Sequence, residues 1–306
     1  MAGRLEGKVA VVVGAAGGIG GATAGRFVRE GAAVALVDLP GAELTNFAQD
    51  LIDMGGHADA IVVAPADIAS EHSVRDCFDQ IAASFPVLDI LVNTAAIRIA
   101  LGDVTQVPLD QWRRILDVNV LGAVLCSRYA IPMMTGGAAS IVHVASVAAH
   151  RARAGWAPYD ATKAALLALT RDMACDHVSQ GIRVNSVSPG PTLTKYHIAT
   201  YAAQNDVSPQ LAAEHLTRRG ASSLMDRPAT PDEVANAILF LASDESSYMT
   251  GADIRVDGGP GQRTSGFADP AGSGGARAAP GRPRDPARSV DGQPGFTKVR
   301  GGTSCE

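Results

Sequence analysis

Ser146, Tyr159 and Lys163 bring together a hydroxyl, a phenol and an ammonium. In that combination the hydroxyl can polarise a carbonyl, the phenol can carry a proton, and a nearby cation can make the phenol acidic enough to work. A second group lies near the start, where Gly14, Gly18 and Gly20 are spaced G-x-x-x-G-x-G, with Ile19 between the last two. A glycine turn that opens a helix lets backbone N–H groups approach a pyrophosphate, helped by the positive end of the helix dipole. Each residue has an ordinary alternative. Ser146 could be a hydroxyl at a helix approach, Tyr159 an interfacial aromatic, Lys163 a solvated charge, and the glycines packing positions. Their conjunction is what points to chemistry.

The hydrophobic pattern supplies the scaffold these groups need. Residues 9–13 form a short β-branched run, as a strand buried on both faces requires, and residues 19–30 follow with helical periodicity. Further strands are predicted at 33–37, 58–63, 88–92, 140–144, 182–187 and 253–256. Helices are predicted at 43–54, 70–84, 109–134, 158–178 and 231–242, the last capped by Thr230. Residues 188–230 read as a looser stretch. The alternation predicts an α/β fold, a Rossmann-type doubly wound parallel sheet in a single domain. From about residue 262 to 306 Gly, Pro, Ala and Arg crowd out aliphatic residues, which predicts a disordered tail.

On this scaffold Ser146 follows a strand and lies at the carboxyl edge of the sheet, where doubly wound folds place ligands. Tyr159 and Lys163, four apart, share a helix face. Asp38 ends the second strand about twenty residues after the glycine turn, where a carboxylate can accept both hydroxyls of an adenine ribose and would repel a 2′-phosphate. That favours NAD over NADP, the alternative being an ordinary turn acid before Pro40-Gly41. Asp67-Ile68, past the third strand, could hold an adenine edge, or Asp67 could be a turn or cap acid.

With these motifs in place the chain resembles the short-chain dehydrogenase/reductase family over residues 5–259. The resemblance implies that Tyr159 is the general acid/base, that Lys163 holds the nicotinamide ribose and lowers the tyrosine pKa, and that Ser146 steadies the substrate oxygen. It adds Asn119, in Asp117-Val118-Asn119-Val120, as the asparagine that props a helix open for a relay water. It adds Asn93 and Ala95 beside the cofactor, and Pro189 and Thr192 of Pro189-Gly190-Pro191-Thr192 at the carboxamide. Two departures stand out. Val13 replaces the usual threonine that braces the glycine turn, and Ala96 replaces a glycine, so Ala96 must avoid a positive φ. The family also implies a homo-oligomer, a dimer or a tetramer built as a dimer of dimers.

Composition narrows the partners. The chain has 306 residues, 46% hydrophobic and 19% charged, enough for one sizeable core. A net charge of −5 offers no field for nucleic acid or an anionic membrane, no apolar run is expected to reach membrane-spanning length, and no signal-type segment precedes Lys8. The four cysteines lack metal-ligand spacing, so no metal is expected. Cys126 and Cys175 read as buried thiols, and the expected compartment is the cytoplasm. The expected activity is NAD-dependent interconversion of a small secondary alcohol and a ketone. The rivals are an epimerase or dehydratase on the same fold, and a catalytically idle dinucleotide-binding protein. Around the pocket Arg98, His150, Arg151, Arg153, Trp156, Tyr196, His197 and Tyr201 stand out. One of the arginines could orient an acidic or polyhydroxy substrate, or all could be solvated or lie at a subunit contact.

Overall fold

Strands β1 (Val9–Val13), β2 (Ala33–Val37), β3 (Ile61–Val63), β4 (Ile90–Asn93), β5 (Ala139–Val144), β6 (Ile182–Pro189) and β7 (Asp253–Val256) form one parallel sheet in the order 3-2-1-4-5-6-7. The computed structural model describes residues 3–99, 101–218 and 223–259. The tail expected from residue 262 onward lies outside them. Strand order reverses between β1 and β4, so the two halves wind away from one crevice at the carboxyl ends of the strands.

Strand side chains alternate between two cores, which is why the strands read as continuous apolar runs. Val11, Val13, Ala35, Leu91, Ile141 and Val184 face one side. There they pack on α3 (Glu71–Ser84), α5 (Gly122–Ala130) and α6 (Ala157–His177) through residues such as Phe78, Cys126 and Met173. Ala10, Val12, Val34, Leu36, Val92 and Val142 face the other. They meet α1 (Gly18–Arg29), α2 (Ala42–Asp53) and α9 (Pro231–Ala242) through Phe27, Leu51 and Ile238. Thr230 caps α9 in a full capping box with Glu233, as its sequence implies.

Four expectations need correction. The helix predicted over 109–134 is α4 (Leu109–Leu116), a π-helical turn at Asp117–Leu121, and α5, with a 3₁₀ turn at Ile131–Met133. The stretch Leu109–Met133 is also long and apolar enough to cross a membrane by composition, contrary to expectation, and here part of it is buried in the core. The looser stretch after β6 contains α7 (Lys195–Asn205) and α8 (Pro209–Arg218), joined through the edge-to-face pair Tyr201–His215. Cys175 is exposed, whereas Cys77 and Cys126 are buried and burial pushes both thiols up, Cys77 to about 12.

Candidate active site

The glycine turn connects β1 to α1. Gly17 caps α1 without a side-chain hydrogen bond, so the first N–H groups of the helix are left for an anion. Gly14 has φ +85°, and a Cβ there would stand 2.7 Å from Ala95 N; one at Gly20 would stand 2.7 Å from Thr94 Oγ1. Glycine at these positions lets the turn pack closely on the loop after β4, and the uncapped start of α1 beside it fits a dinucleotide pyrophosphate. Thr94 Oγ1 donates to Val13 O at 2.7 Å, so the brace missing at Val13 is supplied from the facing loop. Outside glycine, only Asp206 and Asp226 have positive φ among the described residues, so Ala96 fits its turn.

Asp38 Oδ2 accepts from Ala16 N at 2.9 Å and Oδ1 from Leu39 N at 2.8 Å, which holds the carboxylate against the glycine turn. Asp67 Oδ1 accepts from Ala69 N at 3.0 Å and Oδ2 lies 3.7 Å from Arg114 Nη2. Ile68 is buried against Gly122. Asn93 is buried at the end of β4, directly across from His143 on β5, and its Nδ2 lies 3.2 Å from His143 Nδ1.

Asn119 explains the break in the long helix. Its Oδ1 accepts from Ile97 N at 2.8 Å, while its Nδ2 donates to Ile97 O at 3.0 Å and to Thr162 Oγ1 at 3.1 Å. A buried amide therefore ties the loop after β4 to α6, and the π-helical turn carries it there.

Ser146 follows β5 and caps the 3₁₀ turn Val147–His150, its Oγ accepting from Ala148 N at 3.1 Å. Tyr159 and Lys163 sit one turn apart in α6, with Lys163 Nζ 5.8 Å from the Tyr159 ring centroid. Lys163 is fully buried and Nζ donates to Val144 O at 2.8 Å; burial lowers its pKa to about 8. Burial raises the Tyr159 pKa, opposed by the charge of Arg98, the Ser146 hydroxyl and the charge of Arg153. In the protein alone, then, the cations that favour phenolate are arginines.

Ile19, Ser146, Tyr159, Lys163, Pro189 and Thr192 line one cavity of about 530 Å³. Ile19, in the first turn of α1, thus shares a cavity with Ser146, Tyr159 and Lys163, while Gly14, Gly18, Gly20, Asp38, Asp67, Ile68, Asn93, Ala95 and Asn119 lie outside this lining. Arg98, Arg151 and Arg153 also line it. Arg153 pairs with Asp160, and Arg151 Nη2 lies 3.8 Å from Asp257. Arg98 donates to His197 Nε2, which places the imidazole proton on Nδ1, 2.9 Å from Thr194 Oγ1. Burial and the Arg98 charge both lower the His197 pKa, so it is held neutral. These partners were out of reach of sequence reasoning, because Asp160, Asp257 and Thr194 come from separate elements with no shared spacing.

The uncapped start of α1 and the cavity holding Ser146, Tyr159 and Lys163 lie together at the carboxyl edge of the sheet. The family model described as Enoyl-(Acyl carrier protein) reductase matches residues 14–260. The chain is 36% identical to meso-2,3-butanediol dehydrogenase of Serratia marcescens, over 84% of this chain and 95% of that one. It is 37% identical to cis-4-hydroxycyclohexanecarboxylate dehydrogenase of Sinomonas cyclohexanicum, over 82% and 96%. The solved structure of L-sorbose reductase from Gluconobacter frateurii, complexed with NADPH and L-sorbose, superimposes with a TM-score of 0.77 at 30% identity, covering 85% of this chain and 98% of that one. The chain belongs to the short-chain dehydrogenase/reductase family.

Proposed function

We propose that the protein interconverts a secondary alcohol and a ketone with NAD as the preferred dinucleotide, and that Tyr159 carries the proton. The observation that carries this reading is the single cavity shared by Ile19, Ser146, Tyr159, Lys163 and Thr192. The nicotinamide supplies the hydride acceptor. Ser146 orients the substrate oxygen, Tyr159 takes its proton, and Lys163, charged near neutral pH, holds the ribose hydroxyls and favours phenolate once the cavity is filled. Gly14, Gly18, Gly20 and the start of α1 would hold the pyrophosphate, with Asn93, Ala95, Pro189 and Thr192 around the nicotinamide. Asp67 and Ile68 would flank the adenine.

NAD is favoured because Asp38 keeps a carboxylate beside the glycine turn, with Leu39 rather than a cation following it. The relative solved with NADPH makes this a point to measure. Butanediol, hydroxycyclohexanecarboxylate and sorbose in the names of relatives support a small alcohol or ketone as substrate. We also propose that residues 5–259 form the working unit, that it assembles as a homo-oligomer through exposed apolar residues such as Leu109 and Leu116, and that free thiols suit a reducing cytoplasm.

The test is a panel of secondary alcohols and sugar alcohols with NAD and with NADP, followed by absorbance of the reduced dinucleotide. Turnover with NAD above NADP is expected, and Tyr159→Phe should lower kcat by about 100- to 10,000-fold. Undiminished turnover in that variant would overturn the mechanism. A preference for NADP would overturn the role of Asp38.

A further inference from the structure

Resting on the dehydrogenase reading, we propose that the substrate is a hydroxy acid and that Arg98 binds its carboxylate. The argument is one of charge. Four cationic side chains line the cavity and, among the described residues, no aspartate or glutamate does. Two of the four face carboxylates, Arg151 only across 3.8 Å with no hydrogen bond from its buried Nη2, and Lys163 is the one assigned to the ribose. Arg153 pairs with Asp160, Arg151 approaches Asp257, and Lys163 donates to Val144 O beside the phenol.

Arg98 differs. Its hydrogen-bond partner among the described residues is His197, a neutral imidazole, so the guanidinium charge is uncompensated. Its central carbon lies 5.0 Å from the Trp156 ring centroid and 5.9 Å from that of Tyr159, so its neighbours are two aromatic rings and one imidazole. A half-buried cation with neutral partners at an otherwise largely apolar cavity wall is a site for an anion. With Lys163 assigned to the ribose, Arg98 is the one remaining cation without a carboxylate partner among the described residues; a single charge suits a monoanion, and a planar two-oxygen carboxylate matches the fork in a bidentate pair. A phosphate dianion would leave one negative charge unmet.

The Arg98 charge also sits near the proton carrier, so the carboxylate and the reacting hydroxyl must belong to one small substrate, a few carbons apart. The reaction leaves the carboxylate untouched. The carbinol hydride passes to oxidised NAD, the hydroxyl proton passes to Tyr159, and the C–O single bond becomes a carbonyl.

The experiment compares kcat/KM for hydroxy acids, from 3-hydroxybutyrate to 4-hydroxycyclohexanecarboxylate, each beside its methyl ester, in wild type, Arg98→Gln and Arg98→Lys. The acid should be favoured in wild type. The acid-to-ester ratio should fall by about 100-fold in Arg98→Gln and recover in part in Arg98→Lys. A ratio near one in wild type, a ratio unmoved by Arg98→Gln, or a preference for phosphate monoesters of diols would overturn the proposal while leaving the dehydrogenase reading intact. Calorimetry on the wild-type complex with NAD adds a readout independent of turnover. Cyclohexanecarboxylate should bind more tightly than cyclohexanecarboxamide, and Arg98→Gln should erase the difference. Carboxylate binding through Arg98 with no alcohol oxidised would remove the dehydrogenase reading alone. Equal binding of acid and amide would remove the carboxylate site.

Discussion

Fully enclosed at the end of β5, His143 lies within 3.2 Å of Asn93 and feels the charge of Lys163. Burial first, and the Lys163 cation second, lower its pKa from 6.5 to about 4. The imidazole is therefore neutral in the folded protein across the pH range in which it gains a proton in the unfolded chain. Between pH 6.5 and about 4 the unfolded chain binds the extra proton, so the stabilising contribution is whole above that window and lost as pH falls through it. It amounts to something on the order of 3 kcal/mol. His143→Asn should flatten the acid limb, giving a smaller drop in Tm between pH 6.5 and 4 than wild type shows. Parallel acid limbs would show that the proton is taken up elsewhere.

Asn119 matters because of the element that carries it. A regular helix through residues 109–134 would leave one fewer residue in the turn at Asp117–Leu121, and the π-helical turn takes up the extra one where the amide bonds Ile97 and Thr162. Asn119→Ala leaves both backbone groups of Ile97 unpaired and should cost about 2 kcal/mol in urea unfolding, with turnover falling as the loop beside Arg98 loosens. An unchanged unfolding midpoint would mean that the loop holds itself. The element order and the Ser146, Tyr159 and Lys163 positions were legible because strand periodicity and helix spacing are local. The helix break was not, since an apolar run carries the same signal whether its hydrogen bonds close regularly or bulge. The missed helices α7 and α8 had local signs in Thr194 and in Ser208-Pro209, a capping hydroxyl and a proline at the first helical turn, but weak apolar stripes. Ion pairs such as Arg153–Asp160 depend on how a loop meets a helix, which spacing alone does not encode.

At the scale of the molecule, two cores clamp the sheet and leave its carboxyl edge to α7 and α8. Besides the Arg98–His197 hydrogen bond, a small contact joins this cover to the rest. Thr194, the N-cap of α7, lies over the first turn of α1, where a Cβ added at Gly18 would stand 2.7 Å from Thr194 Cβ. Gly18→Ala should therefore push α7 outward and speed release of the reduced dinucleotide, measured by stopped-flow fluorescence, with the fold retained. Unaltered release would show that α7 moves independently of the glycine turn. Because the same few atoms would border the dinucleotide on one side and carry α7 on the other, the contact imposes a sequence in time. On the proposed function, the dinucleotide should enter before α7 settles, the alcohol second, and the product beneath Thr194 should leave last. Deuterium at the carbinol carbon should then slow the first turnover more than the steady state.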